Sequence, residues 1–377
     1  MILLAPDKFK DSLTAPEVCD VITDALLQTT FSGKICAMPM ADGGEGTCAL
    51  LTKYGKGIFI SVKTVDPLFR ERVASYGLSA DGNTAYIEMS AASGLSLLKS
   101  EERNPAYATT YGTGLLMADA LNRHVQTILL GIGGSATNDA GIGMAAALGA
   151  NFSGSDGQTL TPIGKNLSRI AFIDRSKLHA RLTDTNIIAL CDVDNPLYGP
   201  RGAAYVYAPQ KGADDAMVLE LDKGLEHYAT VVKNTLSIDI NFPGAGAGGG
   251  IAGGALAFFH VQYRKGVDFI MEYVAMEEQI KKSRFIITGE GKLDKQTLQG
   301  KVVQGIAALC RKHRKPFFVI TGRNSLTDED TVRLGAAAVV SLVDAQTSET
   351  QAMKDVRTLM KRRIQENIIP LLNDGAA

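Results

Sequence analysis

The chain has 377 residues, with 39 Lys and Arg against 40 Asp and Glu and a formal net charge of −1. Charge so evenly balanced, with no long block of one sign, argues against a nucleic-acid surface built on bulk charge. The length predicts two α/β domains able to bury large cores without disulfide or metal staples.

Five cysteines (Cys19, Cys36, Cys48, Cys191 and Cys310) are scattered without a CxxC pair, as expected of reduced thiols in a cytoplasmic protein. Met1–Ala5 is too short for a signal-peptide core and lacks a basic flank. No apolar run approaches the ~20 residues of a membrane span. The 39 glycines cluster in turns, a pattern that predicts close backbone approach to a ligand.

In chain order, Met1–Ala5 reads as a buried strand, followed by the charged loop Pro6–Ser12. Thr14-Ala15-Pro16-Glu17 is a capping box that predicts a helix to about Gln28. Ile35–Met38 is a second strand, ending in Ala41-Asp42-Gly43-Gly44-Glu45-Gly46-Thr47 before a helix over Cys48–Tyr54. If these strands are parallel, both loops lie on the sheet edge where open α/β folds bind ligands. The alternating runs Ile58–Val65, Arg72–Leu78 and Ala85–Met89 then read as an antiparallel meander, and this switch of pattern places a domain boundary near Asp66.

A helix is expected over Thr110–Leu121 and a strand over Thr127–Leu130, the latter ending in Gly131-Ile132-Gly133-Gly134-Ser135-Ala136-Thr137-Asn138-Asp139-Ala140-Gly141. Helix Ile142–Leu148 follows. Gly131, Gly133 and Ala136 satisfy GxGxxG/A, but a dinucleotide fingerprint also wants an acid at the end of the next strand, and Asp156 sits in a turn. A general anion site is the better reading, with Ser135, Thr137 and Asn138 as donors and Asp139 as an N-terminal acid or a plain helix cap. Strand Asn186–Leu190 ends in Cys191-Asp192-Val193-Asp194-Asn195-Pro196. Asp192 and Asp194 are spaced to bind Mg²⁺ or take a proton, or to form an Asx turn.

Helices are expected over Asp215–Val232, Leu256–Tyr263 and Val267–Lys281. The glycine-rich Pro243–Gly254 run reads as a flexible loop or a turn into the second of them. Phe285–Thr288 is a strand that breaks into Gly289-Glu290-Gly291 and feeds a helix over Leu298–Cys310, a setting for phosphate at a helix start. Glu290, Asp294, Lys292 and Lys301 crowd that turn. Strands Pro316–Thr321 and Ala337–Leu342, a short helix Thr327–Leu334 and a long helix Ser348–Leu372 complete the chain.

The expected fold is therefore α/β with two domains. Residues 1–65 and 281–377 build one Rossmann-like parallel sheet from both chain ends. Residues 66–280 form an inserted mixed α/β domain, with the active site in the interdomain cleft. The sequence lacks GxxxxGK[ST], the kinase HRD and DFG pair, GxSxG and HExxH, and its five histidines lie away from the glycine-rich turns. The remaining toolkit of Asp, Glu, Lys, Ser, Thr, Asn and Gly fits metal-assisted phosphoryl transfer. Two alternatives stay open: a dehydrogenase using the Gly131–Ala136 turn, and a non-enzymatic sensor of a small hydroxy acid.

Read together, Ala5-Pro6-Asp7 with Phe9-Lys10, Ala41–Thr47, Gly131–Gly141, Cys191-Asp192-Val193 with Asn195-Pro196-Leu197, Pro209–Ala213, Pro243–Gly246 and Thr288–Gly291 with Leu293-Asp294, Gln296-Thr297 and Gly300-Lys301 resemble the bacterial glycerate kinase family of non-P-loop, glycerate 2-kinase-like type. Val303 stands where that family commonly has Pro, and Ala140 where it commonly has Gly.

The resemblance implies γ-phosphoryl transfer from ATP to D-glycerate with Mg²⁺, usually giving 2-phosphoglycerate. Glycerate and ATP would then be the partners, with no nucleic acid or membrane and a possible homodimer. On this basis Asp192 is the first choice for general base or Mg²⁺ ligand, with Asp42 and Asp294 next. Lys10 and Lys301 would hold the carboxylate or the transferring phosphate. Asp7, Asp139, Gly289, Glu290 and Gly291 are further substrate- or phosphate-binding candidates. Ser135 and Asn138 would orient glycerate or the phosphates beside the Gly133 and Gly134 backbone.

Overall fold

The computed structural model describes residues 1–28 and 33–374. Its strands are β1 (Ile2–Leu4), β2 (Ile35–Ala37), β3 (Ile58–Val65), β4 (Glu71–Leu78), β5 (Thr84–Glu88), β6 (Thr127–Gly131) and β7 (Asn151–Ser153). They continue as β8 (Phe172–Asp174), β9 (Asn186–Leu190), β10 (Val261–Arg264), β11 (Phe285–Leu293), β12 (Phe317–Asn324) and β13 (Ala338–Ser341). Two compact units result: Met1–Asp42 with Val267–Ala377, and Gly43–Gly266. These limits lie earlier than breaks at 65/66 and 280/281. Strand β3 is hydrogen-bonded to β4 and so belongs to the second sheet. The Val267 and Met271 side chains lie against Gly305 and so go with the first unit.

The first unit is a five-stranded sheet in the order β13-β12-β11-β1-β2, and every pairing is parallel. Both chain ends contribute to it, as the sequence predicts. Strands buried on both faces read as continuous apolar runs. Ile2, Leu4, Ile287 and Ile320 pack with Val18, Ile22 and Met360 in one core, while Leu3, Ile286 and Val319 are buried as well. The Ala15–Leu27 helix begins at the expected capping box, in which the Thr14 hydroxyl accepts from the Glu17 amide and the Glu17 carboxylate accepts from the Thr14 amide.

The second unit has a six-stranded mixed sheet in the order β10-β9-β6-β5-β4-β3, with β5, β6, β9 and β10 parallel, and a two-stranded ribbon of β7 and β8. The meander of β3, β4 and β5 is antiparallel as expected.

Four expectations need correction. Strand β11 does not break at Gly289: it pairs with β12 as far as Leu293. A Cβ on Gly289 would sit 2.0 Å from the Ile320 carbonyl oxygen, and one on Gly291 would sit 3.1 Å from the Lys10 amide nitrogen. The two glycines therefore let neighbouring backbone approach within a sheet. The following helix starts at Val302, after Gly300 takes a left-handed φ of 111°. The Leu256–Tyr263 stretch is not helical. The helical segment there is Ala247–Ala255, kinked by non-helical backbone at Gly248, Gly249 and Gly250, and Val261–Arg264 is a strand. The helix expected over Val267–Lys281 is broken at Ala275, with φ 50°. The last long helix is three pieces, Glu349–Lys354, Val356–Asn367 and Ile369–Asp374.

The glycine-rich run has a packing role. Gly248, Gly249 and Gly250 have φ of 65°, 75° and 90°. A Cβ on Gly249 would meet the Thr137 carbonyl oxygen at 2.0 Å, and one on Gly254 would meet the Ala140 carbonyl oxygen at 1.7 Å. The run is thus a floor beneath the Gly131–Gly141 loop. Gly157 also has positive φ, at 77°, but nothing lies within 4 Å of its Cβ position. Gly157→Ala is therefore expected to lose ~1 kcal/mol from backbone conformation alone. Gly249→Ala should lose roughly 1–3 kcal/mol more from overpacking, read as a larger drop in urea midpoint.

Candidate active site

In the first unit the chain leaves β1 toward β2 on one side, while β11 leads to β12 and β13 on the other. The order reverses between β1 and β11, and open α/β sheets bind ligands outside the carboxyl ends of strands at such a point. A cavity of about 470 Å³ lies there. Asp7, Lys8 and Lys10 after β1, Asp42 after β2, Glu290 and Gly291 in β11, and Asp294 and Lys301 beyond it all line this cavity.

Two buried carboxyls dominate its electrostatics. Asp7 is 5% exposed and its pKa is raised to about 7. Burial is the main cause and the Asp42 charge adds to it, against the Lys8 charge, the Lys8 amide and Lys301. That amide donates to Asp7 Oδ1 at 2.7 Å. Glu290 is 6% exposed and is likewise raised to about 7 by burial. The Thr297 hydroxyl and Lys301 oppose the shift, while Asp7 and Asp294 add to it. Glu290 Oε1 is buried without a hydrogen-bond partner. Around these acids, Lys8 approaches Asp42 at 3.9 Å and Lys292 approaches Asp294 at 3.7 Å. Asp294 Oδ1 accepts from the Gln296 amide, fixing the turn that leads to Lys301, the N-cap of the Val302–Lys312 helix.

The second unit gathers its candidates at the carboxyl ends of β6 and β9, which are neighbours. The Gly131–Gly141 loop leaves β6, and Gly133 and Gly134 are exposed on it. Ser135, Thr137, Asn138 and Asp139 are buried. Asp192 follows β9 and is exposed. Its Oδ1 accepts from the Gly266 amide at 2.9 Å, and its Oδ2 lies 3.2 Å from where a Cβ on Gly43 would sit. The Gly43 carbonyl in turn faces Gly131, so Gly43 touches both candidate segments.

Asp139 is a structural carboxylate. Oδ2 accepts from the Thr110 amide and hydroxyl, both at 2.8 Å, and from the Gly143 amide; Oδ1 accepts from the Gly141 amide. Burial raises its pKa against those donors.

The model of the glycerate kinase family matches residues 2–373. The chain belongs to the glycerate kinase family. A glycerate kinase of Halalkalibacterium halodurans is 40% identical over 362 residues, covering 96% of this chain and 95% of that one. The glycerate 2-kinase of Escherichia coli K12 is 42% identical over 329 residues, covering 87% and 86% respectively. A crystal structure described as that of a glycerate kinase 2 from Salmonella typhimurium LT2 matches with a TM-score of 0.87 at 36% identity, covering 100% of this chain and 98% of that one. Membership in this family makes the chain an enzyme of kinase type.

Two cations escaped the candidate set. Lys8 lines the first cavity directly. Lys211, the one cation of a Pro-Gln-Lys-Gly turn, is only 2% exposed and donates to Ser135 Oγ at 2.6 Å and to the Thr137 carbonyl at 2.7 Å. Among the described residues, no three or more His, Cys, Asp or Glu side chains are grouped to hold a metal ion. The donor set of the first unit still suits Mg²⁺ arriving with nucleotide phosphates, since that ion takes one or two carboxylates and keeps several waters. Asp7, Asp42 and Glu290, with its unpartnered oxygen, would be the carboxylates. Among the described residues no helix is long and apolar enough to cross a membrane.

A carboxyl whose pKa is higher in the folded state opposes folding once pH exceeds its unfolded value, here 3.8 for Asp7. The opposition sets in above that value and is complete above about 7, and it vanishes where both states are protonated. Asp7→Asn is therefore expected to gain stability over wild type as pH rises from about 4 to about 8, by a few kcal/mol at most. Urea unfolding at several pH values checks this. A difference that does not change with pH would show that Asp7 ionises normally.

Proposed function

We propose that the chain transfers the γ-phosphoryl group of ATP to D-glycerate, giving 2-phospho-D-glycerate. The observation that carries this reading is the cavity at the β1/β11 reversal, where cations and two buried acids face one space. Phosphoryl transfer demands little covalent chemistry from a protein and much positioning and charge neutralisation, which such a set supplies.

In the proposed reaction a glycerate hydroxyl oxygen forms a bond to the γ-phosphorus. The bond from that phosphorus to the β–γ bridging oxygen breaks, ADP leaves, and the hydroxyl proton passes to a carboxylate. Asp192 is our assignment for that base, being an exposed carboxylate whose Oδ1 accepts from the Gly266 amide. Lys10 and Lys301 hold the carboxylate or the phosphate in flight, and Lys8 joins them. Asp294 shapes the turn before Lys301 and supports its placement. Ser135 and Asn138, with the Gly133 and Gly134 backbone, orient the second substrate. Mg²⁺, held by Asp7, Asp42 or Glu290, would neutralise phosphate charge. We further propose a cytoplasmic enzyme, with a homodimer as the assembly to test.

Incubation with ATP, Mg²⁺ and D-glycerate, followed by ³¹P NMR, tests the reaction. A phosphate-ester signal with the coupling of a secondary alcohol supports 2-phosphoglycerate. The coupling of a primary one would reassign the product to 3-phosphoglycerate, and no ester signal would remove glycerate as substrate. Asp192→Asn should lower kcat by about 10²-fold or more if Asp192 is the base. A variant with near-wild-type kcat removes it from that role.

A further inference from the structure

Lys211 is a buried cation whose two hydrogen-bond acceptors, Ser135 Oγ and the Thr137 carbonyl, are both uncharged. Burying an ammonium is unfavourable unless its surroundings compensate the charge. The carboxylate that acts on it, Asp139, already accepts four hydrogen bonds from Thr110, Gly141 and Gly143.

The loop that Lys211 grips carries more polar capacity than the protein uses. Thr137 Oγ1 and both polar atoms of the Asn138 side chain are buried without a hydrogen-bond partner, although Thr137 and Asn138 are fully buried. Buried polar groups left unpaired are unfavourable and mark sites that a ligand or ordered water completes. The loop is also held from outside by backbone bonds. Leu95 donates to the Gly134 carbonyl, Ala136 donates to Ser93, and Ala140 donates to Gly249. Lys211 supplies the side-chain grip between these, at residues 135 and 137.

We propose that Lys211 is a positioning residue of this loop: its two hydrogen bonds hold Ser135 and Thr137 in the shape that lets residues 133–138 receive an anionic oxygen of a substrate. This rests on the kinase reading, in which that oxygen belongs either to the carboxylate of the acceptor or to the phosphates of the nucleotide. Burial lowers the lysine pKa to about 7 against the pull of Asp139, consistent with a charge left short of a partner until an anion arrives.

The test compares wild type with Lys211→Met, which removes the donors and keeps the stem, and Lys211→Gln, which restores a neutral donor. The expected result is a KM raised about tenfold or more for one substrate only, D-glycerate or ATP, with partial recovery in Lys211→Gln. Which KM moves identifies the anion. A purely structural lysine would lower the active fraction and hence apparent kcat, leaving both KM values alone, and that outcome overturns the proposal. If neither variant folds, Ser135→Ala removes one of the two bonds and should move the same KM; unchanged KM values there also overturn it.

Should wild type fail to phosphorylate D-glycerate, the kinase reading fails separately. Calorimetric titration of ATP and of inorganic phosphate into wild type and Lys211→Gln then decides. Weaker binding by the variant supports the positioning role, whereas equal binding, or none to either protein, overturns it.

Discussion

The first unit depends on three residues. Ile2, Leu3 and Leu4 pair on one side with Phe285, Ile286 and Ile287 and on the other with Ile35, Cys36 and Ala37. Without this short strand the β11-β12-β13 half of the sheet and β2 have no common neighbour. The Ala5 carbonyl also accepts from the Thr288 hydroxyl across 283 residues. Contacts of such separation are expensive in loop-closure entropy before burial rewards them, so this unit is expected to complete its sheet late in folding. The same pairing sets the chemistry. The Asp7 amide donates to the Gly289 carbonyl, and that bond places Asp7 beside Glu290, so the Asp7 charge adds to the raised Glu290 pKa only because the chain ends meet.

Local rules were legible wherever a residue's partner is close in sequence. Thr14, Thr327 and Ser348 each cap a helix, and each cap is decided within three residues. Apolar runs and alternation located the strands of the two larger sheets except β10, because burial on one or two faces sets them, but they missed the short β7 and β8 ribbon. Joining both termini in one parallel sheet followed from the repeated strand–helix order at each end.

What stayed hidden was decided at long range. Gly289 and Gly291 read locally as a turn, yet their partners are the Ile320 carbonyl and the Phe9–Lys10 backbone, so they mark a tight sheet instead. The Gly248–Gly250 run likewise has its reason in Thr137 and Ala140, more than a hundred positions away. Lys211 is the sharpest case among the side chains. Nothing in its own turn distinguishes it from a solvated lysine, because its acceptors are Ser135 and Thr137. Asp7, Glu290, Asp294, Lys10 and Lys301, which line one cavity, could be singled out because each lies just past or near the carboxyl end of a strand, where fold topology alone directs attention.

Each unit, taken by itself, carries ionisable groups that folding disfavours in their charged form. In the first, burial holds Asp7 and Glu290 partly protonated near neutrality. In the second, burial pushes Lys211 toward the neutral amine. A fold selected for stability alone would replace such groups with apolar ones of similar volume, often at no loss. Their presence is better explained by ligands of opposite sign. A cation reaching the acids favours their ionised forms and displaces protons, and an anion reaching the loop that Lys211 supports favours the ammonium and takes one up. The two units would then couple to proton concentration with opposite sign, so their contributions oppose one another in the net protons exchanged on binding. Charge left unsatisfied by the protein is, on this view, the part of the structure reserved for the substrates.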